Sequence, residues 1–149
     1  MKTDVRLYNL IFPVWLMLTI PLVWLIVLPL NFIVDSLVLV ISMKKLRIDN
    51  KKDFYKRHIF KIFWFGILAD IIGAFIIFSL FYFFNIGSLG DELYLTTPGL
   101  IVALFMIFIL NYYVSFKELD NKLRFRLALI YALVTAPYTF LIPLYWIYF

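Results

Sequence analysis

The feature that most constrains this chain is the length of its apolar segments. From Leu10 to Met43 the sequence contains a single charged residue, and comparably apolar segments run from Ile59 to Phe84 and from Pro98 to Phe116. Apolar runs of about 20 residues match the hydrocarbon core of a bilayer, where backbone groups can be paired only within helices or closed barrels. The segments lack the ten-residue alternation of barrel strands. The sequence therefore predicts an all-α, polytopic transmembrane helical bundle.

The number of spans depends on how the first apolar segment is divided. As one straight helix it would be about 51 Å long, against a hydrocarbon core of about 30 Å. Because proline is tolerated at a helix start and breaks a helix interior, Pro29-Leu30-Asn31 predicts a reversal of the chain. This interpretation gives about five spans, and the alternative is four, with residues 10–43 as one bent helix. The five predicted spans lie near residues 10–28, 30–45, 59–84, 98–116 and 127–148.

Positive charge is concentrated in two short segments. The chain has 14 Lys/Arg and a net charge of +5, and twelve of these cations lie in segments 44–61 and 117–126. Since short loops rich in Lys and Arg remain inside, both segments are predicted to be cytoplasmic loops. The cation-free region around Asp91 and the aromatic C-terminal end are predicted outside. Five spans then place the N-terminus inside a cell membrane, and the abundance of Ile, Phe, Lys, Asn and Tyr suggests a bacterial one.

The composition argues against several kinds of active site. Without cysteine the chain cannot form a disulfide, a thiolate nucleophile or a thiolate zinc site. The only histidine, His58, lies among cations in YKRHIFK, so we expect it among lipid headgroups rather than at a metal. We predict no catalytic residue, metal or cofactor. Nucleic acid is not an expected partner, because the cations stand between membrane spans and no binding module is recognisable.

Two aspartates inside the apolar segments are the most informative residues for function. They are Asp35 in FIVDSLVLV and Asp70 in GILADIIGAF. A carboxylate at bilayer depth costs at least about 2.5–3.5 kcal/mol, so it usually faces the bundle interior or a water-filled cavity. Asp35 lies nine residues before Lys44 and Asp70 nine residues after Lys61, which predicts a shared depth near the bilayer centre. If they face each other, one should stay protonated, because like charges in a dry site cannot both ionise.

Polar and small residues accompany the two aspartates. Asn31 precedes Asp35 by one helical turn and joins the pair as a candidate for an ion or proton site. Around Asp70, a face of small residues permits close approach of another helix. The predicted packing residues on this face are Gly66, Ala69 and Gly73.

Three functions are compatible with an intramembrane aspartate pair. One is a small proton- or cation-linked transporter or channel subunit, since transporters place ionisable groups near the midplane. Another is a structural or assembly subunit of a larger complex, with both aspartates as hydrogen-bonding groups. The third is an aspartic hydrolase, in which the pair activates water. The segments around Asp35 and Asp70 resemble the aspartate segments of lipoprotein signal peptidases, although that family's Asn-rich and Asp-Arg elements are absent. We predict a non-enzymatic protein.

The basic segment 44–61 is the predicted contact with other molecules. It contains eight Lys/Arg and two Asp, a net charge of +6, and attracts anionic headgroups by about 1 kcal/mol per cation. It also has a topogenic role, and an acidic cytosolic partner is the alternative ligand. Because so narrow a bundle leaves little room for a solute path, we expect a homo- or hetero-oligomer. The predicted contact residues are Lys44, Lys45, Arg47, Lys51, Lys52, Lys56, Arg57 and Lys61.

Overall fold

The described part of the chain is helical apart from short connections. The computed structural model describes residues 21–84 and 92–138. Its four α-helices are α1 (Pro21–Lys45), α2 (Lys51–Phe84), α3 (Glu92–Leu110) and α4 (Asn121–Thr135). One turn of π-helix, Asn111–Ser115, continues α3 and is called the π segment below. No strand occurs within these ranges, and the predicted all-α class is confirmed for them.

Three of the described helical segments are long and apolar enough to cross a membrane. They are Trp24–Lys45, Lys51–Leu80 and Thr96–Ser115. Their outer faces carry large apolar side chains, such as Leu25, which is 72% exposed, and Phe75, which is 68% exposed. Such surfaces are costly in water and are accommodated in lipid. The described residues thus agree with a transmembrane bundle, but they do not yield the five predicted spans.

Helix α1 continues through Pro29, so the predicted reversal at Pro29-Leu30-Asn31 is wrong. A proline inside a helix removes one backbone donor, yet membrane helices tolerate it where neighbouring groups satisfy the freed carbonyl. The predicted spans 10–28 and 30–45 are therefore not two helices over residues 21–45. Residues 10–20 of the first predicted span lie outside the described residues.

The two basic segments are mostly helical, which corrects their prediction as loops. Only residues 46–50 connect α1 to α2, and only residues 116–120 connect the π segment to α4. The helices that contain the starts of the predicted spans 59–84, 98–116 and 127–148 begin earlier than those spans, at Lys51, Glu92 and Asn121, and the bounds of the membrane crossings stay a prediction. A helix requires apolar side chains only where it meets lipid, so polar turns can extend it beyond the bilayer. Residues 139–148 lie outside the described residues.

The connection between α1 and α2 is tight because it uses two left-handed residues. Arg47 has φ 53° and Asn50 has φ 51°. The Ile48 N–H donates to the Met43 carbonyl at 3.1 Å, the hydrogen bond of a Schellman helix end, and both side chains are buried. The Asn50 carbonyl accepts the first hydrogen bonds of α2. This turn makes α1 and α2 antiparallel neighbours.

Helices α2 and α3 approach most closely at two glycines. A β-carbon built on Gly99 would lie 2.7 Å from the Gly73 carbonyl oxygen and would overlap the Ile77 side chain. Glycine at position 99 therefore permits this backbone separation. The contact also fixes the register of the two helices, because Gly73 and Gly99 lie at one depth.

Candidate intramembrane aspartate site

Asp35 lies in the interior of α1 and directs its carboxyl group at α2. Its side chain is 6% exposed. A β-carbon built on Gly66 would lie 3.8 Å from Asp35 Oδ2, an ordinary van der Waals contact, so the carboxyl group lies directly opposite this position of α2. Gly66, selected from the sequence as a packing residue, thus forms part of the wall around Asp35.

Asp70 follows Gly66 by one turn on α2, and Gly66 is the residue that the Asp35 carboxyl group faces. Helical side chains tilt toward the N-terminus of their own helix. Because α1 and α2 are antiparallel, the two carboxyl groups tilt toward each other. The Asp70 side chain is half-buried, and its Oδ1 is buried and has no hydrogen-bond partner among the described residues. The structure therefore places the two aspartates within one helical turn of each other between α1 and α2.

The contact at Gly66 sets the register of the two aspartates. Asp35 Oδ2 is level with Gly66, and Asp70 follows Gly66 by four residues, so the two backbone positions differ by about 6 Å along the bundle. Helix α2 begins ten residues before Lys61, which the sequence indicated as the membrane edge. The aspartates are neighbouring positions along the bundle, and their shared depth near the bilayer centre stays a prediction.

Asn31, the third predicted member of the site, is half-buried one turn from Asp35. Within residues 21–84 and 92–138, no hydrogen bond joins it to either aspartate. Its role as an ion or proton ligand remains a prediction.

Helix α4 contributes Tyr131, whose side chain is fully buried. Its hydroxyl donates to the Asp35 backbone carbonyl at 2.8 Å, and its ring contacts the Phe116 ring with 5.9 Å between centroids. Tyr131 was not among the residues selected from the sequence. The pattern that could have indicated it is a tyrosine on the same helix face as two alanines, Ala128 and Ala132, which are also fully buried.

The π segment places two further polar side chains in the core. Asn111 is 0% exposed and Ser115 is 2% exposed. The Asn111 side-chain amide donates to the Ile107 carbonyl at 2.9 Å, but neither Asn111 Oδ1 nor Ser115 Oγ has a partner in the described part of the chain. π turns are rare and occur often at functional sites. The sequence analysis missed both residues, although Asn111 and Ser115 interrupt an otherwise apolar segment.

Arg124 of α4 contacts the π segment at Tyr112. Its Nε donates to the Tyr112 carbonyl at 2.5 Å, and its guanidinium carbon lies 4.1 Å from the centroid of the Tyr112 ring. A charged donor is a strong partner for a backbone carbonyl. The side chain thus combines a hydrogen bond and a cation–π contact on one residue of the irregular turn.

His58 is buried, so the expectation that it lies among lipid headgroups is wrong. Its side chain is 4% exposed, and its ring stacks on Phe54 and Phe116 with centroid distances of 4.0 and 5.7 Å. The His58 Nδ1–H donates to the Phe54 carbonyl at 2.7 Å. Because α2 already begins at Lys51, His58 lies two turns inside the helix, where it faces the end of the π segment.

The remaining candidate residues fall into two groups. Ala69 is fully buried and Gly73 lies against Gly99, so both line helix contacts. The eight cations selected as headgroup or partner contacts are all exposed near the connection of α1 and α2, and their ligand stays a prediction. They are Lys44, Lys45, Arg47, Lys51, Lys52, Lys56, Arg57 and Lys61. Among the described residues, no group of three His, Cys, Asp or Glu side chains could hold a metal ion.

Comparison with known protein families, with characterised proteins and with solved structures finds no match to this chain. The function of the chain therefore has to be inferred from the geometry of the two aspartates, Tyr131 and the π segment.

Proposed function

We propose that the protein is a small proton- or cation-linked transporter or channel subunit in which Asp35 and Asp70 are two successive binding positions. The observation that carries the proposal is Asp70 Oδ1, a buried carboxyl oxygen without a partner among the described residues, one turn from the glycine that the Asp35 carboxyl group faces. Leaving such an atom unpaired costs about 1–3 kcal/mol. A purely structural pair would remove that cost by hydrogen bonding, whereas a position that takes up and releases a proton must keep an acceptor available.

The offset between the two aspartates supports a path rather than a hydrolytic dyad. An aspartic hydrolase needs two carboxyl groups that hold one water between them at a single site. Here the two backbone positions differ by about 6 Å, one helical turn, and Asp70 Oδ1 forms no hydrogen bond with Asp35 or any other described residue. This arrangement suits transfer of a small cationic species along the bundle axis.

For the orientation, we propose that both basic segments face the cytoplasm of a bacterial cell membrane, where anionic headgroups contact the exposed cations. Because α1 includes residues 21–45, the apolar residues 10–20 are too few for a separate crossing of about 20 residues. Four crossings, the last formed by α4 and the residues that follow it, then place both termini outside. Such a narrow bundle favours assembly with further copies or with other subunits.

Proton flux in vesicles tests the proposal. The full chain is reconstituted in phosphatidylethanolamine and phosphatidylglycerol with a pH-sensitive dye inside, and a pH jump is applied with valinomycin and K⁺ present. We expect flux for the unchanged protein and its loss in Asp70→Asn and Asp35→Asn, because asparagine cannot carry the exchangeable proton. Asp49→Asn alters an exposed aspartate of the α1–α2 connection and should keep full flux. Repeating the assay with Na⁺ or K⁺ gradients identifies the species carried.

Thermal denaturation in detergent separates transport from a structural role. Asp70→Asn should melt nearly like the unchanged protein, so that lost flux reflects lost chemistry. Flux in Asp70→Asn equal to that of the unchanged protein, or vesicles without flux for any of these cations, would overturn the proposal. The structural alternative would then predict that Asp70→Leu lowers the melting temperature while Asp70→Asn does not.

A further inference from the structure

Three buried side-chain oxygens lack a hydrogen-bond partner in the described part of the chain, and only one of them belongs to the aspartate pair. They are Asp70 Oδ1, Asn111 Oδ1 and Ser115 Oγ. Buried polar atoms in proteins are nearly always paired, with ordered water as a frequent partner. We therefore expect the two oxygens of the π segment to have a hydrogen-bond partner besides the described residues, such as an ordered water molecule.

The register of the helices places the π segment between the aspartates and the basic segments. Gly73 and Gly99 lie at one depth, so Asp70 of antiparallel α2 is level with residues near 102 of α3. At 1.5 Å per residue, Asn111 lies about 13 Å and Ser115 about 20 Å nearer to the basic end of the bundle. Asp35 is level with Gly66 and thus with residues near 106 of α3, so Asn111 lies about 7 Å beyond Asp35 toward the basic end. The unpaired oxygens therefore lie between the aspartates and the basic segments.

Contacts in the core place the π segment beside the Asp35 region. The Tyr131 hydroxyl bonds to the Asp35 carbonyl, and the Tyr131 ring touches Phe116, the residue after the π segment. The π segment contacts both α2 and α4. Since Asn111 and Ser115 are four residues apart on one wide turn, their side chains lie on the same side of the helix.

We propose that Asn111 and Ser115 bind a water molecule that relays protons between the aspartate pair and the cytoplasmic, basic face. This inference rests on the proposed function and adds the inner half of its path. The water donates one hydrogen to Asn111 Oδ1 and the other to Ser115 Oγ. A proton arriving on the water oxygen releases the hydrogen that faces Ser115 onto the Ser115 oxygen, whose own hydrogen leaves to solvent water at the basic face. Rotation of the water and of the hydroxyl then restores the starting arrangement. Neither group is consumed, and no other reactant is needed.

Two measurements test the relay. The first is solid-state NMR of the full chain, with ¹⁵N-labelled asparagine, in phosphatidylethanolamine–phosphatidylglycerol bilayers. It detects magnetisation transfer from water to the side-chain amide of Asn111. The Asn111 signal is assigned because it disappears in Asn111→Leu. We expect the transfer in the unchanged protein and its loss in Ser115→Ala. In the vesicle assay, Ser115→Ala should reduce proton flux about tenfold, as expected for the loss of one hydrogen-bonded step, while Ser115→Thr retains the hydroxyl and most of the flux.

The outcomes distinguish this inference from the proposed function. Because the Ser115 hydroxyl has no protein partner among the described residues, alanine should preserve the fold, which melting in detergent checks. Ser79→Ala, which removes an exposed hydroxyl bonded to the Phe75 carbonyl, is the matched control and should conduct normally. Absence of water transfer to Asn111 overturns the inference. If Ser115→Ala conducts normally and Asp70→Asn does not conduct, the relay is overturned and the proposed function stands. If the unchanged protein shows no flux, both are overturned.

Discussion

The Tyr131 hydroxyl donates a 2.8 Å hydrogen bond to the backbone carbonyl of Asp35, across 96 residues of sequence. A backbone carbonyl inside a helix already accepts a hydrogen bond from the N–H four residues later, so the Tyr131 hydroxyl uses a second lone pair of the oxygen. It joins α4 to α1 beside the carboxyl group that faces α2. One phenol thus fixes the helix that carries Asp35 without touching the carboxyl group.

Tyr131→Phe should lower the stability by about 0.5–1 kcal/mol, since one buried hydrogen bond is lost and no atom of the ring is removed. The measurement is thermal or chemical denaturation in detergent. Tyr113→Phe is the control, because Tyr113 is 62% exposed, and it should leave stability unchanged. Equal stability of Tyr131→Phe and the unchanged protein would show that the bond contributes nothing.

Gly99→Ala should destabilise the protein by about 1–3 kcal/mol, because the new methyl group would overlap backbone and side chain of α2 and force the helices apart. Gly66→Ala provides the comparison. Its β-carbon would lie 3.8 Å from Asp35 Oδ2, an ordinary contact, and alanine favours the helix by about 0.5–1 kcal/mol.

Adding Ile77→Ala to Gly99→Ala should recover only part of the lost stability. It removes the overlap with the Ile77 side chain but leaves the Gly73 carbonyl oxygen in place. Full recovery, or equal destabilisation by alanine at positions 66 and 99, would contradict this account of the α2–α3 contact.

Arg47→Gly should stabilise the protein by about 0.5–1 kcal/mol, because the left-handed backbone is costly for a residue with a β-carbon and free of that cost for glycine. Arg47 has φ 53°. Arg47→Ala removes the same charge but keeps the β-carbon, so it should bring no gain. A rise in melting temperature for both variants would point to charge rather than backbone conformation.

Arg124→Ala should cost about 1–2 kcal/mol, since it removes both the charged donor to the Tyr112 carbonyl and the contact with the Tyr112 ring. Arg124→Lys should restore part of this, because lysine keeps the charge but lacks the planar group. Arg126→Ala, at an exposed position two residues away, should change stability by less than about 0.5 kcal/mol. Denaturation curves that do not separate Arg124 from Arg126 would refute the role assigned to Arg124.

The proposed four crossings predict that a cysteine at position 3 is labelled from outside. The chain contains no cysteine, so Thr3→Cys provides a single reactive thiol, and a membrane-impermeant maleimide applied to intact cells reads its position. Asp49→Cys, in the exposed connection between α1 and α2, should react only after the membrane is opened. Protection of Thr3→Cys in intact cells would restore a crossing before α1.

The membrane-embedded helices were predictable because lipid imposes a strict requirement on length and apolarity. Their ends were not, since nothing in lipid physics stops a helix at the membrane edge, and α2 extends ten residues beyond Lys61. Pro29 was misjudged because the effect of a proline depends on the neighbours that satisfy the freed carbonyl.

The candidate site was predictable in part for a similar reason. A buried carboxylate is conspicuous in an apolar sequence, so Asp35 and Asp70 were found from the residues alone. Tyr131, Asn111 and Ser115 carry weaker signals in the sequence, and their place in the core follows from packing between distant segments. No periodicity within α4 could indicate a bond to a residue 96 positions earlier, and the π turn is not encoded by any local pattern in NYYVS that we recognise.

In the proposed transporter, the one-turn offset between Asp35 and Asp70 would make their occupancy responsive to voltage. Two positions about 6 Å apart in a core of about 30 Å feel different fractions of the membrane potential. Moving one elementary charge through the whole potential involves about 2.3 kcal/mol per 100 mV, so the step between these positions involves about 0.5 kcal/mol. A change of 100 mV would therefore redistribute a proton between the two aspartates about twofold, and the polarity of the cell would help decide which of them is occupied.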